Sequence, residues 1–205
     1  MKWVNVIALA EAVLPNLQVH RTRYFTAMVK SPPTDPQQAQ RQQTYIRALE
    51  TLPNLTVHYG RYQATKVRAK VCQPPPDSVL VHKTEEKGTD VNIATYMLVD
   101  AFRNDCDQLV VMTNDSDLAE PIRIINSELH LNVIVLNPHS VDTANRKNAR
   151  TGGNHASRPS YDLKNAAFMV KDIRSHGNKC HMTQAQFPAT IIDKHGTITI
   201  PAKWK

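Results

Sequence analysis

The segment VVMTNDSDLAEPIRIIN (110–126) runs an apolar stretch into a polar junction, where Asp115 and Asp117 stand two residues apart, and then into a second apolar pattern. Carboxylates so placed can do two things. Asp115 or Ser116 can cap a helix, with Asp117 and Glu120 favoured in its first turn by the helix dipole, and Asp90 can cap the helix before it. Alternatively, two carboxylates at a strand end, joined by a third from a nearby helix start, can share a hard divalent cation such as Mg2+ or Mn2+. A cation held there activates water and neutralises phosphate charge during hydrolysis of a phosphodiester. Spacing alone favours the cap, because helices prefer acidic first turns. Position favours the metal, and one side chain can serve both ends.

Position depends on the elements that carry these residues. Residues 3–14 (WVNVIALAEAVL) place Val4, Ile7, Ala8, Glu11 and Leu14 at helical spacing and stop at Pro15. Residues 18–29 read as a strand, 36–52 as a helix with Pro36 near its start, and 55–63 as a strand. An irregular, proline-containing stretch over 64–79, centred on QPPPD, leads to a short strand VLVHKT and a mostly buried helix over 89–104. The strand 108–113 and the helix 117–128 follow, with Pro121 near the first turn, and 132–136 is a last apolar strand. Apolar strands separated by helices imply a mostly parallel sheet covered on both faces. Ligands gather at the carboxyl ends of such strands. Thr113, Asn114, Asp115 and Asp117 therefore fall in the binding crevice, and Asp90 can reach the same edge.

Composition narrows the partners. The chain has 205 residues, 41% hydrophobic and 21% charged, enough for one core with a tail. Its 25 Lys and Arg against 18 Asp and Glu give +7, which favours a polyanion such as nucleic acid. Arg21, Arg23, Arg61, Lys66, Arg68 and Lys70 can track phosphates, with Tyr24, Tyr59 and Tyr62 for base stacking; the bland alternative is scattered surface charge. Cys72, Cys106 and Cys180 form no CxxC pair, against a disulfide framework or a cysteine zinc site and in favour of a reducing cytoplasm. No apolar run reaches membrane-span length, and no signal peptide, GxGxxG, Walker or GxSxG pattern is present. Glu85 and Glu86 in HKTEEKG read as a solvated turn that could at most support a metal shell, and the nine dispersed histidines match no metal spacing. The expected organisation is a domain over 1–138, a polar mobile loop over 139–160, and an extension over 161–205 that packs on the domain. That extension holds a helix over 161–173 and a hairpin turning at Asp193-Lys194-His195-Gly196.

Two segments, EEKGTDVNIATYMLVDAF (85–102) and LVVMTNDSDLAEPIR (109–123), resemble the NYN domain, a branch of the PIN-like metal-dependent nucleases. In that family a TDV-type aspartate and an (S/N)DSD-type pair form part of an acidic metal site. RYFTAMV (23–29), RQQTYIRALETLPNLTVHYGRYQ (41–63) and QFPATIIDKHGTITIPAKW (186–204) are similar to its bacterial subgroup, so the resemblance covers most of the chain. It implies a three-layer PIN-like α/β fold with a C-terminal helix and hairpin. It implies Asp90, Asp115 and Asp117 as catalytic metal ligands for Mg2+ or Mn2+, supported by Asn114 and Thr113. The activity implied is endoribonucleolytic cleavage of single-stranded RNA positioned by Arg21, Arg23, Arg61, Lys66 and Arg68, with homodimer formation left open and no membrane partner.

Two departures accompany it. Family members open with a strand ending in an Asp-Gly-x-Asn-like motif, and none is present here. The chain is thus expected to begin about one strand late, either as a truncated or misassigned reading frame or as a variant lacking a ligand and a central strand. Relatives also carry a CxxC pair where this chain has a lone Cys72 beside Pro74-Pro75-Pro76. Two other classes of function stay open: a catalytically impaired RNA-binding or regulatory module, and the ring-hydroxylase activity ascribed to some members of the subgroup. For the last, the sequence offers no flavin- or nicotinamide-binding feature.

Overall fold

The computed structural model describes residues 2–138, 159–173 and 180–204. The polar loop expected over 139–160 lies outside the described residues except for Pro159 and Ser160. Helix α1 (Val6–Val13) starts where the Asn5 side chain accepts the N–H groups of Ile7 and Ala8, each at 3.0 Å, and stops ahead of Pro15. Strand β1 (Thr22–Ala27) crosses through α2 (Gln38–Leu49) to pair in parallel with β2 (Leu55–Lys70). Gln42 fastens that crossover, accepting from Val29 N–H and donating to the Ala27 carbonyl, both at 2.8 Å.

β2 then outruns β1. From Arg61 to Lys70 it pairs antiparallel with β3 (Ser78–Lys87), so the stretch 64–79 expected to be irregular is mostly a regular two-stranded ribbon. The reason is local: the prolines are confined to the connection, while Val67 faces Val81 and Ala69 faces Val79 across the ladder.

Helix α3 (Thr89–Phe102), β4 (Leu109–Met112), a 3-10 turn (Ser116–Leu118), α4 (Ala119–Ser127) and β5 (Val133–Asn137) follow. From Pro159 onward, the helix expected over 161–173 divides into α5 (Tyr161–Ala166) and β6 (Met169–Asp172). β6 ladders in parallel onto Ile134–Asn137 of β5. An open edge of β5 offers backbone partners that a longer helix would have left unmet. Asn126 fixes the switch, donating to the Ala166 carbonyl at 2.6 Å and accepting from Val133 N–H at 2.9 Å.

The fold is α/β, with parallel strands covered by helices. β5 lies between β4 and β6 and all five of its residues are buried. Val133 and Val135 join α3, α4 and α5 in one core, whereas Ile134 and Leu136 join α1 in another, which makes three layers. The parallel strands nevertheless stand in two sets. Among the described residues no ladder joins β1 to β4; α3 packs on β1 and β2 on one side and on α4 on the other. On β4, Leu109 and Val111 are buried while Val110 and Met112 are 37% and 40% exposed.

A third core gathers Trp3, Ala48, Leu49, Phe187 and Ile198. After the short helix α6 (His181–Gln184), the hairpin of β7 (Thr190–Asp193) and β8 (Gly196–Thr199) closes over it, with Gly196 at φ 109° in the turn. Arg47 grips Asp193 through two bonds of 2.6 and 2.5 Å. Trp3 is 1% exposed, packs against Tyr45, Phe187 and Trp204, and donates its indole N–H to the Pro188 carbonyl at 2.8 Å. Among the described residues no helix is long and apolar enough to cross a membrane. Trp3→Ala is expected to cost about 3–5 kcal/mol, read as a lowered urea midpoint with unchanged m-value.

Candidate functional site

The carboxyl end of β4 is shaped by its own side chains. Thr113 extends the ladder, its N–H bonding the Leu136 carbonyl at 3.1 Å, while its hydroxyl accepts Asp115 N–H at 3.0 Å. Asp115 in turn accepts Asp117 N–H at 3.0 Å and is the N-cap of the 3-10 turn that leads into α4. Leu118, 2% exposed, anchors that turn in the core. Asp115 is half-buried and Asp117 exposed. The cap role of Asp115 is therefore real, and it holds the carboxylate in the crevice.

Asp90 enters from α3 but does not cap it. Gly88 occupies the N-cap position at φ 97°, where only glycine sits without strain. Its missing cap is supplied by Glu86, which accepts Thr89 N–H at 3.2 Å and also the Thr89 hydroxyl. A side chain at Gly60 would put a Cβ within 3.0 Å of Glu86 Oε1, Thr89 Oγ1 and the Lys87 carbonyl, so β2 approaches this corner only as glycine. Glu85 and Glu86, expected in a solvated turn, are both on β3; Glu85 pairs with Lys83 and Lys87, while Glu86 turns toward Thr89.

The Asp90 carboxyl is held above its ordinary value, first by partial burial and then by the charges of Asp115, Glu86 and Asp117. These four carboxyls thus share one electrostatic neighbourhood. Their oxygens are the donor type a hard divalent cation takes. Yet among the described residues no three His, Cys, Asp or Glu side chains stand close enough to hold a metal ion together.

The other singled-out residues divide. Asn114 accepts Ser160 N–H at 2.9 Å, tying the end of β4 to the start of α5 rather than only to its own turn. Arg23 grips Asp100 with bonds of 2.7 and 2.6 Å and lies 4.6 Å over the Tyr96 ring; Arg21 reaches Asp100 at 3.2 Å and Asp105 at 3.0 Å. This network straps β1 to the far end of α3, ~15 Å along the helix from Asp90. Tyr24, expected to be free for stacking, packs edge-on against Tyr45, and burial raises its hydroxyl pKa. Arg61, Lys66, Arg68 and Lys70 are exposed on the ribbon. Residues the sequence reading underrated are Gly60, whose signal was only its place in a strand, and Glu86, whose signal was its alternation with Glu85.

A carboxyl raised in the folded state contributes stability below its unfolded pKa that is lost as pH climbs through the folded one. Asp90→Asn is thus expected to raise the melting temperature of the metal-free protein near pH 7, by on the order of 1 °C, and to change nothing near pH 3. Melts by circular dichroism in EDTA at both pH values check this; a lower melting temperature at pH 7 would contradict it.

The family model for the NYN domain matches residues 3–151. The chain is also 25% identical to the 6-hydroxy-3-succinoylpyridine 3-monooxygenase HspA of Pseudomonas putida (strain DSM 28022 / S16), over 99% of this chain and 68% of that one. It resembles the crystal structure of a protein of unknown function, VPA0982 from Vibrio parahaemolyticus RIMD 2210633, at 16% identity and a TM-score of 0.44, over 84% of this chain and 80% of that one. With more than half of its residues matched, strand β4 and its Asn-Asp-Ser-Asp turn among them, the chain belongs to the nuclease-like NYN domain family.

Proposed function

We propose that this chain is a cytoplasmic metal-dependent ribonuclease that cleaves single-stranded RNA internally. The observation that supports this reading is the placement of Asp115 and Asp117 in the turn that follows β4, with Asp90, in the first turn of α3, among their charged neighbours. Asp90, Asp115 and Asp117 would hold Mg2+ or Mn2+ through oxygen donors. Such a cation, when bound, supplies a water of lowered pKa and neutralises charge on the phosphodiester.

The chain's own residues do the positioning. Thr113 orders the turn that aims Asp115 and Asp117. Asn114 holds that turn against the residue before α5, and Glu86 fixes the first turn of α3 and hence Asp90. Arg61, Lys66 and Arg68 are exposed cations for the RNA backbone. In this reading Arg21 and Arg23 act through rigidity, since their charge is spent on Asp100 and Asp105.

Two observations keep other readings in play. No three ligating side chains are gathered among the described residues, which favours an RNA-binding module without turnover. The likeness to a monooxygenase favours ring hydroxylation. One comparison separates the three: Mn2+-dependent cleavage of a labelled single-stranded oligoribonucleotide, with Asp115→Asn expected to slow it by on the order of a hundredfold or more. Tight RNA binding with no cleavage at any metal concentration would select the binding module, and NADH consumption with an aromatic substrate would select the hydroxylase.

A further inference from the structure

The β2–β3 ribbon has two unlike faces. Residues opposite one another in an antiparallel ladder share a face, and successive residues alternate. One face carries Arg61 with Lys87, Gln63 with Glu85, Thr65 with Lys83, Val67 with Val81 and Ala69 with Val79. There Glu85 answers the lysines: Lys83 and Lys87 both bond to it and hold its carboxyl down at about 2. The other face carries Tyr62 with Glu86, Lys66 with His82, Arg68 with Leu80 and Lys70 with Ser78. Among the described residues, none of Lys66, Arg68 and Lys70 enters an ion pair; Arg68 reaches only the Ser78 hydroxyl, at 3.4 Å. The one acid on this face is Glu86 at its foot, committed to Thr89.

Three unanswered cations in a row, about 7 Å apart, repel one another along a two-stranded ribbon that has little stability of its own. A regularly spaced polyanion reverses that cost. Tyr62, 38% exposed, stands on the same face below the cations and opposite Glu86, where a ring can stack on an unpaired base. The face therefore runs from cations at the tip to an aromatic ring beside Glu86 at the foot, next to the first turn of α3 that carries Asp90.

We infer that the Tyr62–Lys66–Arg68–Lys70 face of this ribbon is an arm that binds single-stranded RNA and leads it into the acidic crevice. The inference rests on the ribonuclease reading for its direction, while binding itself needs no catalysis. The arm supplies phosphate contacts outside the crevice, and on the opposite face Lys83 and Lys87, bound to Glu85, take no part.

The test is fluorescence anisotropy of a 5′-labelled oligouridylate with the full chain in EDTA, across a salt series. Replacing Lys66, Arg68 and Lys70 together by alanine is expected to weaken binding at least tenfold near 0.1 M salt. It is also expected to flatten the plot of log K against log salt by about 2, the slope of three lost phosphate contacts on a single strand. Tyr62→Ala is expected to weaken binding about fivefold or more without moving that slope. Lys83→Ala is expected to change neither, and unaltered thermal melts establish that each variant folds.

No binding by the unsubstituted chain, an unchanged slope in the triple variant, an equal loss from Lys83→Ala, or tighter binding of a duplex of mixed sequence overturns the inference. Failure of the ribonuclease reading looks different: the arm variants still lose binding, but no chain cleaves RNA with Mn2+. Metal-dependent cleavage with arm variants that bind normally is the reverse case.

Discussion

Strand β5 has no exposed residue, and the rest of the architecture answers to that fact. A strand buried on both faces needs helices above and below and strands on both edges. Val133 and Val135 take α3, α4 and α5, Ile134 and Leu136 take α1, and the edges take β4 and β6. Once β4 is laddered in parallel to β5, its carboxyl end opens beside the first turn of α3. The carboxylates of Asp115 and Asp117 are brought toward Asp90 by the burial of valines and isoleucines, with no attraction among themselves.

That arrangement carries an electrostatic cost. Asp90 is pushed above its ordinary value, first by partial burial and then by its neighbours' charges, whereas Asp35, Asp100 and Asp193 are pulled below theirs by Arg or Lys partners. The contrast divides the acids into two kinds. Asp100 and Asp193 fasten elements far apart in the chain, Arg23 to Asp100 and Arg47 to Asp193. Asp90, Asp115 and Asp117 fasten little beyond their own turns.

Local features were legible in the sequence and distant ones were not. The apolar strands, the Asn-Asp-Ser-Asp turn and the hairpin around Gly196 announce themselves within a few residues, because caps and turns are local chemistry. β6 was read as helix because Met169–Asp172 becomes a strand only when the edge of β5, about 35 residues earlier, is there to pair with. The strands at 55–63 and VLVHKT are legible, but their extension into a ribbon over 64–79 is not, because polar, solvated strands lack a hydrophobic period and Pro74, Pro75 and Pro76 read as irregular chain. Arg21 and Arg23 looked like phosphate contacts since nothing in RTRYF shows that Asp100 waits on another element. At the site, the TDV and NDSD aspartates were legible as types, whereas Glu86 and Gly60 entered only through the packing of β2 against the start of α3.

The position of the positive charge then matters more than its sum. The net +7 invites a picture of a uniformly basic surface. Yet Arg21, Arg23, Arg41 and Arg47 are all engaged with aspartates of the body, and Lys203 joins Arg41 on Asp35. Among the described residues, Lys66, Arg68 and Lys70 are not answered in this way and stand in a row along one face of the ribbon. The same ribbon ends, at its foot, on the glutamate that caps the helix carrying Asp90. Cations and carboxylates that would collapse onto each other in a compact body are kept apart by the stiffness of two paired strands. On the proposed ribonuclease reading a phosphate backbone needs the first and phosphodiester hydrolysis the second, and a separation of this kind lets one chain present both.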